Sequence, residues 1–306
     1  MPKVSVIVPN YNHAAYLLKR LESIYQQTFQ DFEVIILDDC SKDNSREIIN
    51  AYREQSNTHI LFNAKNTGSP FAQWRKGLSH VKGEFIWIAE SDDYADPDFL
   101  AQLVPILDAN PSVGLVYSRS WLVDSTNKIL GDSNIWTNDL DPERWQHNYM
   151  NSGKAEIEQF LLQKNCIPNA SAVLLRESVV RRVLLPDTTY RLCGDWLYWI
   201  RILAESDIAF VANPLNYWRQ DSSNARVPNA GTLEWLEGQK VLCYGLDVIN
   251  ANDLQRVKIQ FNFLQRCWAW QRAYIENLSE PSHGSTDVNR SYLDSFKFWL
   301  AKLWRR

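Results

Sequence analysis

Acidic residues in this chain collect where apolar runs stop. Residues 84–89 run straight into Glu90-Ser91-Asp92-Asp93, and residues 32–37 run into Asp38-Asp39. A further acid, Asp195, follows Gly194 at the head of an aromatic segment that contains Trp196, Tyr198 and Trp199. Carboxylates delivered from the end of a buried strand are hard oxygen ligands, the kind that hold Mg2+ or Mn2+ against phosphate oxygens. The plainer reading of Asp92-Asp93 is that the two acids open a loop and cap a helix beginning near Pro97. Asp195 likewise has two readings, a helix cap stabilising by about 1 kcal/mol or a base able to take a proton from a reacting group.

The elements that must position these acids follow from the apolar pattern. Residues 4–8 form a run of β-formers ending at Pro9, the mark of a strand buried on both faces. A loop, Asn10-Tyr11-Asn12-His13, then precedes a helix over 14–26 with Leu17, Leu18, Leu21, Ile24 and Tyr25 at helical spacing. Strands are expected at 32–37, 59–63 and 84–89, and helices at 45–55 and 71–81. Such alternation implies a parallel, twisted sheet with right-handed crossovers, which binds ligands outside the carboxyl ends of its strands. Asp38, Asp39, Asp92 and Asp93 therefore converge on one crevice. Neither Gly-x-Gly-x-x-Gly nor Gly-x-x-x-x-Gly-Lys-Ser/Thr is present, so a glycine-built phosphate cradle is excluded.

Farther along, the pattern predicts a helix over 97–109, a strand at 113–118, an extended segment over 120–130 and irregular chain to 153. Trp136, Trp145 and Tyr149 in that stretch are expected to pack over the sheet edge rather than to hold ligand. Helices over 154–164 and 177–183, the aromatic helix beginning near Asp195, and a strand at 208–212 follow. From Leu233 the character changes to long helices over 233–248 and 254–277.

A net charge of −4 and a pI near 5.8 give no footprint for nucleic acid, which is discounted as a partner. Five cysteines without a Cys-x-x-Cys pair indicate neither a zinc site nor a disulfide framework. A cytoplasmic location is expected, since the start lacks the features of a signal peptide and no run approaches the roughly 18 apolar residues of a membrane span. Residues 292–306, with Phe296, Trp299, Trp304 and several bases, read as an amphipathic helix. It would either lie peripherally on a membrane surface or dock on protein.

Three motifs in order, Val4-Ser5-Val6-Ile7-Val8-Pro9-Asn10-Tyr11-Asn12, then Asp38-Asp39-x-Ser41-x-Asp43-x-Ser45, then Glu90-Ser91-Asp92-Asp93, resemble the amino-terminal signature of the family-2 glycosyltransferases. The resemblance implies the GT-A fold, an α/β architecture with a Rossmann-like, mostly parallel sheet flanked by helices. It divides the chain into a glycosyltransferase domain over 1–225 (a nucleotide-binding half, 1–110, and an acceptor half, 111–225) and a helical C-terminal extension over 226–306. It implies donor contacts from Pro9 and Tyr11, the tyrosine packing on the base, and from Asp39, which would accept the imide proton. Asp92 would meet the ribose or the metal, and Asp93 would ligate the Mg2+ or Mn2+ on the diphosphate. Gly194-Asp195 matches the position of the family's catalytic base. Tyr217-Trp218-Arg219-Gln220-Asp221 resembles a Tyr-Trp-Arg-x-His segment, which makes Arg219 a candidate phosphate clamp and Asp221 a candidate metal ligand in place of histidine.

The chain departs from that pattern at Glu90, commonly aspartate, and at Gln73-Trp74, commonly arginine and asparagine. The implied activity is inverting, metal-dependent transfer of a sugar from a nucleotide-sugar donor to a hydroxyl of a glycan or lipid-linked glycan. Two alternatives stand beside it: a nucleotide-sugar or carbohydrate-binding protein that has lost catalysis, and a hydrolase using paired carboxylates.

Overall fold

The computed structural model describes residues 1–220 and 230–278, the side chains of 230–232 and 267–278 excepted. The first half alternates as the sequence predicts: β1 (Val4–Asn10), α1 (Ala14–Tyr25), β2 (Phe32–Asp38), α2 (Ser45–Asn50), β3 (Thr58–Phe62), α3 (Pro70–Leu78) and β4 (Phe85–Ile88). There follow β5 (Tyr94–Ala95), α4 (Phe99–Ala109), β6 (Val113–Val123), β7 (Ile129–Asp132), the one-turn helix α5 (Asn134–Thr137) and β8 (Tyr149–Asn151). Next come α6 (Gly153–Glu156), β9 (Val173–Arg176), α7 (Glu177–Val180), α8 (Gly194–Leu203), β10 (Asp207–Arg219), α9 (Ala230–Val248) and α10 (Asp253–Leu278).

One mixed, mostly parallel sheet runs in the order β3-β2-β1-β4-β9-β6-β10-β5, with β7 on β6 and β8 on β10. β1 pairs in parallel with β2 on one side and β4 on the other, so the order reverses at β1. Open α/β sheets bind ligands at such a switch point, and here it is flanked by the ends of β1, β2 and β4. β9 enters antiparallel between β4 and β6 and joins the two halves of the sheet into one surface.

Alternate residues of each strand face opposite layers. Val4, Val6 and Val8 pack with Val34, Ile36 and Trp87 against Leu17, Leu21 and Ile24 of α1 and Phe99, Leu103 and Leu107 of α4. Ile7, Ile35, Leu37, Ile86 and Ile88 face the other layer, which holds α3, α8 and α9.

Several boundaries differ from the sequence pattern. α2 stops at Asn50, short of residue 55, and α6 continues as a π-helical turn over Ile157–Leu161. The extended segment expected at 120–130 is the end of β6, a turn with Asn127 at φ 71°, and β7. β10 runs to Arg219 rather than stopping at residue 212. Pro214 sits where the β6–β10 register shifts, and a bulge is where a strand tolerates the missing N–H. The strand thereby delivers Arg219 to the acidic corner. Among the described residues no helix is long and apolar enough to cross a membrane. Asp221 and the segment 292–306 lie outside the described residues.

Candidate active site

The loops after β1 and β2 are laced to each other. Asp38, fully buried, accepts from the Asn10 side chain (3.0 Å), the Ser41 amide (3.1 Å) and Arg46 Nε (2.9 Å). Asn12, at φ 56°, receives the Lys42 amide on its side-chain oxygen (2.8 Å), and Asp43 accepts the Ala14 amide at the start of α1 (2.8 Å). Pro9 is buried within β1, whereas Tyr11 stands 40% exposed at the loop tip with its ring available to a ligand. Asp39 is engaged with its own protein. Its carboxylate accepts the Thr67 amide (2.9 Å) and hydroxyl (2.7 Å) and the Asn63 side chain (2.6 Å), and so fixes the turn that leads into α3.

At the end of β4, Asp93 is buried. Its Oδ1 accepts the Arg219 amide (2.8 Å) and its Oδ2 the Asn169 side-chain amide (2.9 Å). Burial and the neighbouring Asp92 push its carboxyl up to about 6, against the pull of Arg20. Asp92 is half-buried, and its carbonyl accepts Arg219 Nε (2.7 Å). No helix cap is made here, because β5 intervenes and α4 begins only at Phe99.

Glu90 lies half-buried with its carboxylate on the Trp74 indole N–H (2.6 Å) and its amide on Ser171 Oγ (3.0 Å). Burial, then repulsion from Asp92, pushes it up to about 8. The two departures at Glu90 and Trp74 are thus a single contact, the longer acid reaching a buried indole.

Arg219, expected as a phosphate clamp, is 4% exposed and turns its guanidinium into the protein. Nη1 donates to the Asp124 carbonyl (2.5 Å), Nη2 to Asn127 Oδ1 (2.7 Å), and the group lies 4.1 Å from the Tyr16 ring centroid. In this arrangement it braces the β6–β7 turn against the acidic corner. Beneath that corner lies Arg20 of α1, fully buried, whose Nε donates to the Glu90 carbonyl (2.8 Å) while Nη1 and Nη2 have no hydrogen-bond partner.

Asp195 is the second residue of α8. The N-cap is Cys193, so the acid does not cap the helix; its Oδ1 accepts the adjacent Trp196 amide (2.7 Å) and Oδ2 the Asn165 side-chain amide (3.1 Å). It is half-buried, and burial pushes its carboxyl up to about 7, a value suited to a base at neutral pH. Asn165 and Asn169 therefore hold, four residues apart on one segment, the proposed base and the acidic corner. Trp145 is buried, as the sequence predicts, and the half-buried Trp136 donates its indole N–H to the Asn165 carbonyl (2.7 Å). Arg20 and Asn165 were not singled out by sequence; for Arg20 the available signal is an arginine at the i+3 position of the Leu17–Ile24 stripe.

The donor set can be tested against a divalent cation. Glu90, Asp92 and Asp93 repel one another, two are pushed up, and Arg20 is their buried countercharge. An additional cation in the crevice would relieve that repulsion. Among the described residues no three acidic, histidine or cysteine side chains are grouped to hold a metal by themselves, so phosphate and water oxygens would complete its shell, as Mg2+ prefers.

The profile described as Glycosyl transferase family 2 matches residues 5–183, more than half of the chain. The chain belongs to this family. GlyG of Streptococcus pneumoniae, a glycosyltransferase, is 38% identical over 118 residues, 38% of this chain and 39% of GlyG. The poly(ribitol-phosphate) β-N-acetylglucosaminyltransferase TarS of Staphylococcus aureus is 35% identical over 114 residues, 37% of this chain and 20% of TarS. The matched stretches thus span well under two thirds of these relatives' lengths. Crystalline TarS 1–349 in complex with UDP-GlcNAc superposes with a TM-score of 0.68 at 19% identity, over 91% of this chain and 76% of that one. A mannosyltransferase from Pyrobaculum calidifontis, solved with GDP-Man and Mn2+, gives 0.55 at 16% identity, over 99% of this chain and 82% of that one. At these identities the likeness is one of fold, and the fold is GT-A. The family-2 match takes in Asp39, Asp92 and Asp93 but ends before Asp195 and Arg219.

Proposed function

We propose that this family-2 protein transfers a sugar from a nucleoside diphosphate donor to a hydroxyl of a glycan, free or lipid-linked, with inversion at the anomeric carbon. The observation that supports the reading is the segment 165–169, in which Asn165 bonds the Asp195 carboxylate and Asn169, four residues on, bonds that of Asp93. Tyr11 offers its exposed ring to the base of the nucleotide, and Asp39 shapes the turn beneath it. Asp92 and Asp93 would hold a Mg2+ or Mn2+ ion, whose charge stabilises the departing diphosphate. Arg20 offsets the crowded acids from below, and Arg219 keeps Asp92 and Asp93 in place.

Asp195 accepts the acceptor hydroxyl's proton as that oxygen bonds to the anomeric carbon and the bond to the diphosphate breaks. Asn165 aims the carboxylate, and burial keeps its basicity near neutrality. The nature of the relatives supports the substrate class: TarS is named for transfer of a sugar to a polymer, and its crystals bind UDP-GlcNAc.

A panel of nucleotide sugars screened with Mn2+ for thermal stabilisation identifies the donor. Asp195→Asn is then expected to lower kcat by about 100-fold or more while calorimetry finds donor affinity little changed. Asp93→Ala is expected to abolish the Mn2+-dependent part of donor binding. Undiminished turnover by the first variant, or unchanged Mn2+-dependent affinity in the second, would remove these residues from their roles.

A further inference from the structure

The chain entering α8 needs hydrogen-bond acceptors for its backbone N–H groups, because a helix start leaves its first amides without partners. The usual remedy is a serine, threonine or aspartate at the N-cap. Here the N-cap is Cys193, which makes no side-chain cap. What α9 supplies is an acceptor for the N-cap amide and for the two amides of the turn that leads into it. Glu237 Oε1 accepts the Arg191 amide (2.8 Å), and Oε2 accepts the Leu192 amide (2.9 Å) and the Cys193 amide (2.8 Å). The Glu237 side chain is 4% exposed, and the Cys193 thiol donates to the Glu234 carbonyl one turn earlier on α9.

The packing of α9 fixes where this carboxylate lies. Val241, Leu242 and Leu246 are fully buried in the layer that contains α8, and Gly245 approaches Leu162 and Ile200 so closely that a Cβ would lie 2.7 Å and 3.3 Å from them. α10 adds Phe263, whose ring lies 6.1 Å from that of Trp196, the residue after Asp195. Both C-terminal helices thus bear on the first turn of α8.

We propose that Glu237 is a positioning residue for Asp195: by holding the amides of 191–193 it sets the turn that opens α8, and with it the aim of the base. The proposal rests on the reading of Asp195 as base. Electrostatics give it a second handle. Other described charges around α8 have partners of their own: Glu156 of α6 pairs with Arg144, Arg201 at the far end of α8 donates to the Leu185 carbonyl, Lys164 and, from α10, Arg266 pair with Asp139, and Lys240 of α9 lies over the Tyr190 ring. The charge of Glu237 acts on Asp195 and raises its pKa, adding to the larger effect of burial. Removing that charge should move Asp195 downward.

The test uses the full chain and two readouts. The first needs no donor: a 13C-carboxyl titration of Asp195, assigned by its absence in Asp195→Asn, followed in wild type and in Glu237→Gln. The wild-type midpoint is expected near the value of about 7, and the Glu237→Gln midpoint below it. The second is turnover of the nucleotide sugar that stabilises the protein with Mn2+. Glu237→Gln is expected to lower kcat roughly tenfold or more with donor KM nearly unchanged, and to shift the acid limb of the pH profile to lower pH.

A folded Glu237→Gln with the wild-type midpoint and wild-type kcat overturns the proposal. If wild type turns over no nucleotide sugar, the proposed function fails, and the titration alone decides whether Glu237 governs Asp195. Should Glu237→Gln not fold, Glu237→Asp carries the test: its charge is retained, so the midpoint stays while kcat falls, and an undiminished kcat there is the overturning result.

Discussion

Arg20 is a cation placed where the helical pattern calls for a hydrophobe. On α1 it shares the buried face with Leu17, Leu21 and Ile24, while Leu18, which the apolar spacing assigns to the same face, is 48% exposed. Counting hydrophobes cannot foresee this exchange, because the reason for it lies in Glu90, Asp92 and Asp93, about seventy residues downstream in sequence. The acids themselves were legible from their places after apolar runs; the countercharge was not. Its consequence depends on pH, and the sign can be worked out. Glu90 and Asp93 titrate near 8 and 6, above their ordinary values, so their ionisation costs folding stability as pH rises through those values. Arg20 offsets that cost only while the acids are charged, and near pH 5 its own burial, which lowers it to about 10, is the larger effect. Arg20→Met should therefore fall behind wild type between pH 5 and pH 8.5, by on the order of 3 kcal/mol. Urea unfolding at the two pH values measures it, and a stability difference independent of pH would remove Arg20 from this role.

Two helices from distant parts of the sequence meet at Gly194, and their contact decides how α8 presents Asp195. A Cβ on Gly194 would lie 2.5 Å from the Phe71 ring, which is itself held edge-on by Trp74 at 5.2 Å between centroids. Trp74 in turn packs on Trp199 of α8, so α3 and α8 share one aromatic seam. Gly194→Ala is expected to cost about 1–3 kcal/mol through overpacking and to lower kcat more than donor affinity. Adding Phe71→Leu should recover part of both, a result that thermal melts and turnover together would show; no recovery would place the damage elsewhere. The elements themselves were largely readable: β1 to β4 and the helices between them followed from buried β-runs and helical spacing. What escaped was set by pairing rather than by local pattern. β9 is too short to announce an antiparallel insertion, and β10 passes through Pro214 because a bulge accommodates it. The segment 165–172 owes its importance to what Asn165 and Asn169 meet across the sheet, which no periodicity encodes.

At the scale of the molecule, the family resemblance implies a catalytic domain ending at residue 225 and a helical extension after it, and the two share one apolar layer. Val241, Leu242 and Leu246 of α9 and Phe263 of α10 are buried in the same layer as Trp196, Trp199, Ile200 and Leu203. Glu237 moreover supplies the acceptor for three amides at the entrance to α8. A chain ending at residue 225 would expose that apolar surface and leave those amides to water. Each large aliphatic side chain so exposed is worth about 1.5–3 kcal/mol, and the partners left on α8 lose their covering as well. Against a total stability of about 5–15 kcal/mol that loss is decisive. We predict that residues 1–225 expressed alone form no stably folded domain: near-UV circular dichroism should show lost aromatic packing around α8, while the sheet built on β1 to β4 keeps part of its far-UV signal. A truncated chain with native near-UV signal and cooperative melting would show instead that α9 and α10 are an appendage, and that the division expected at residue 225 is a true domain boundary.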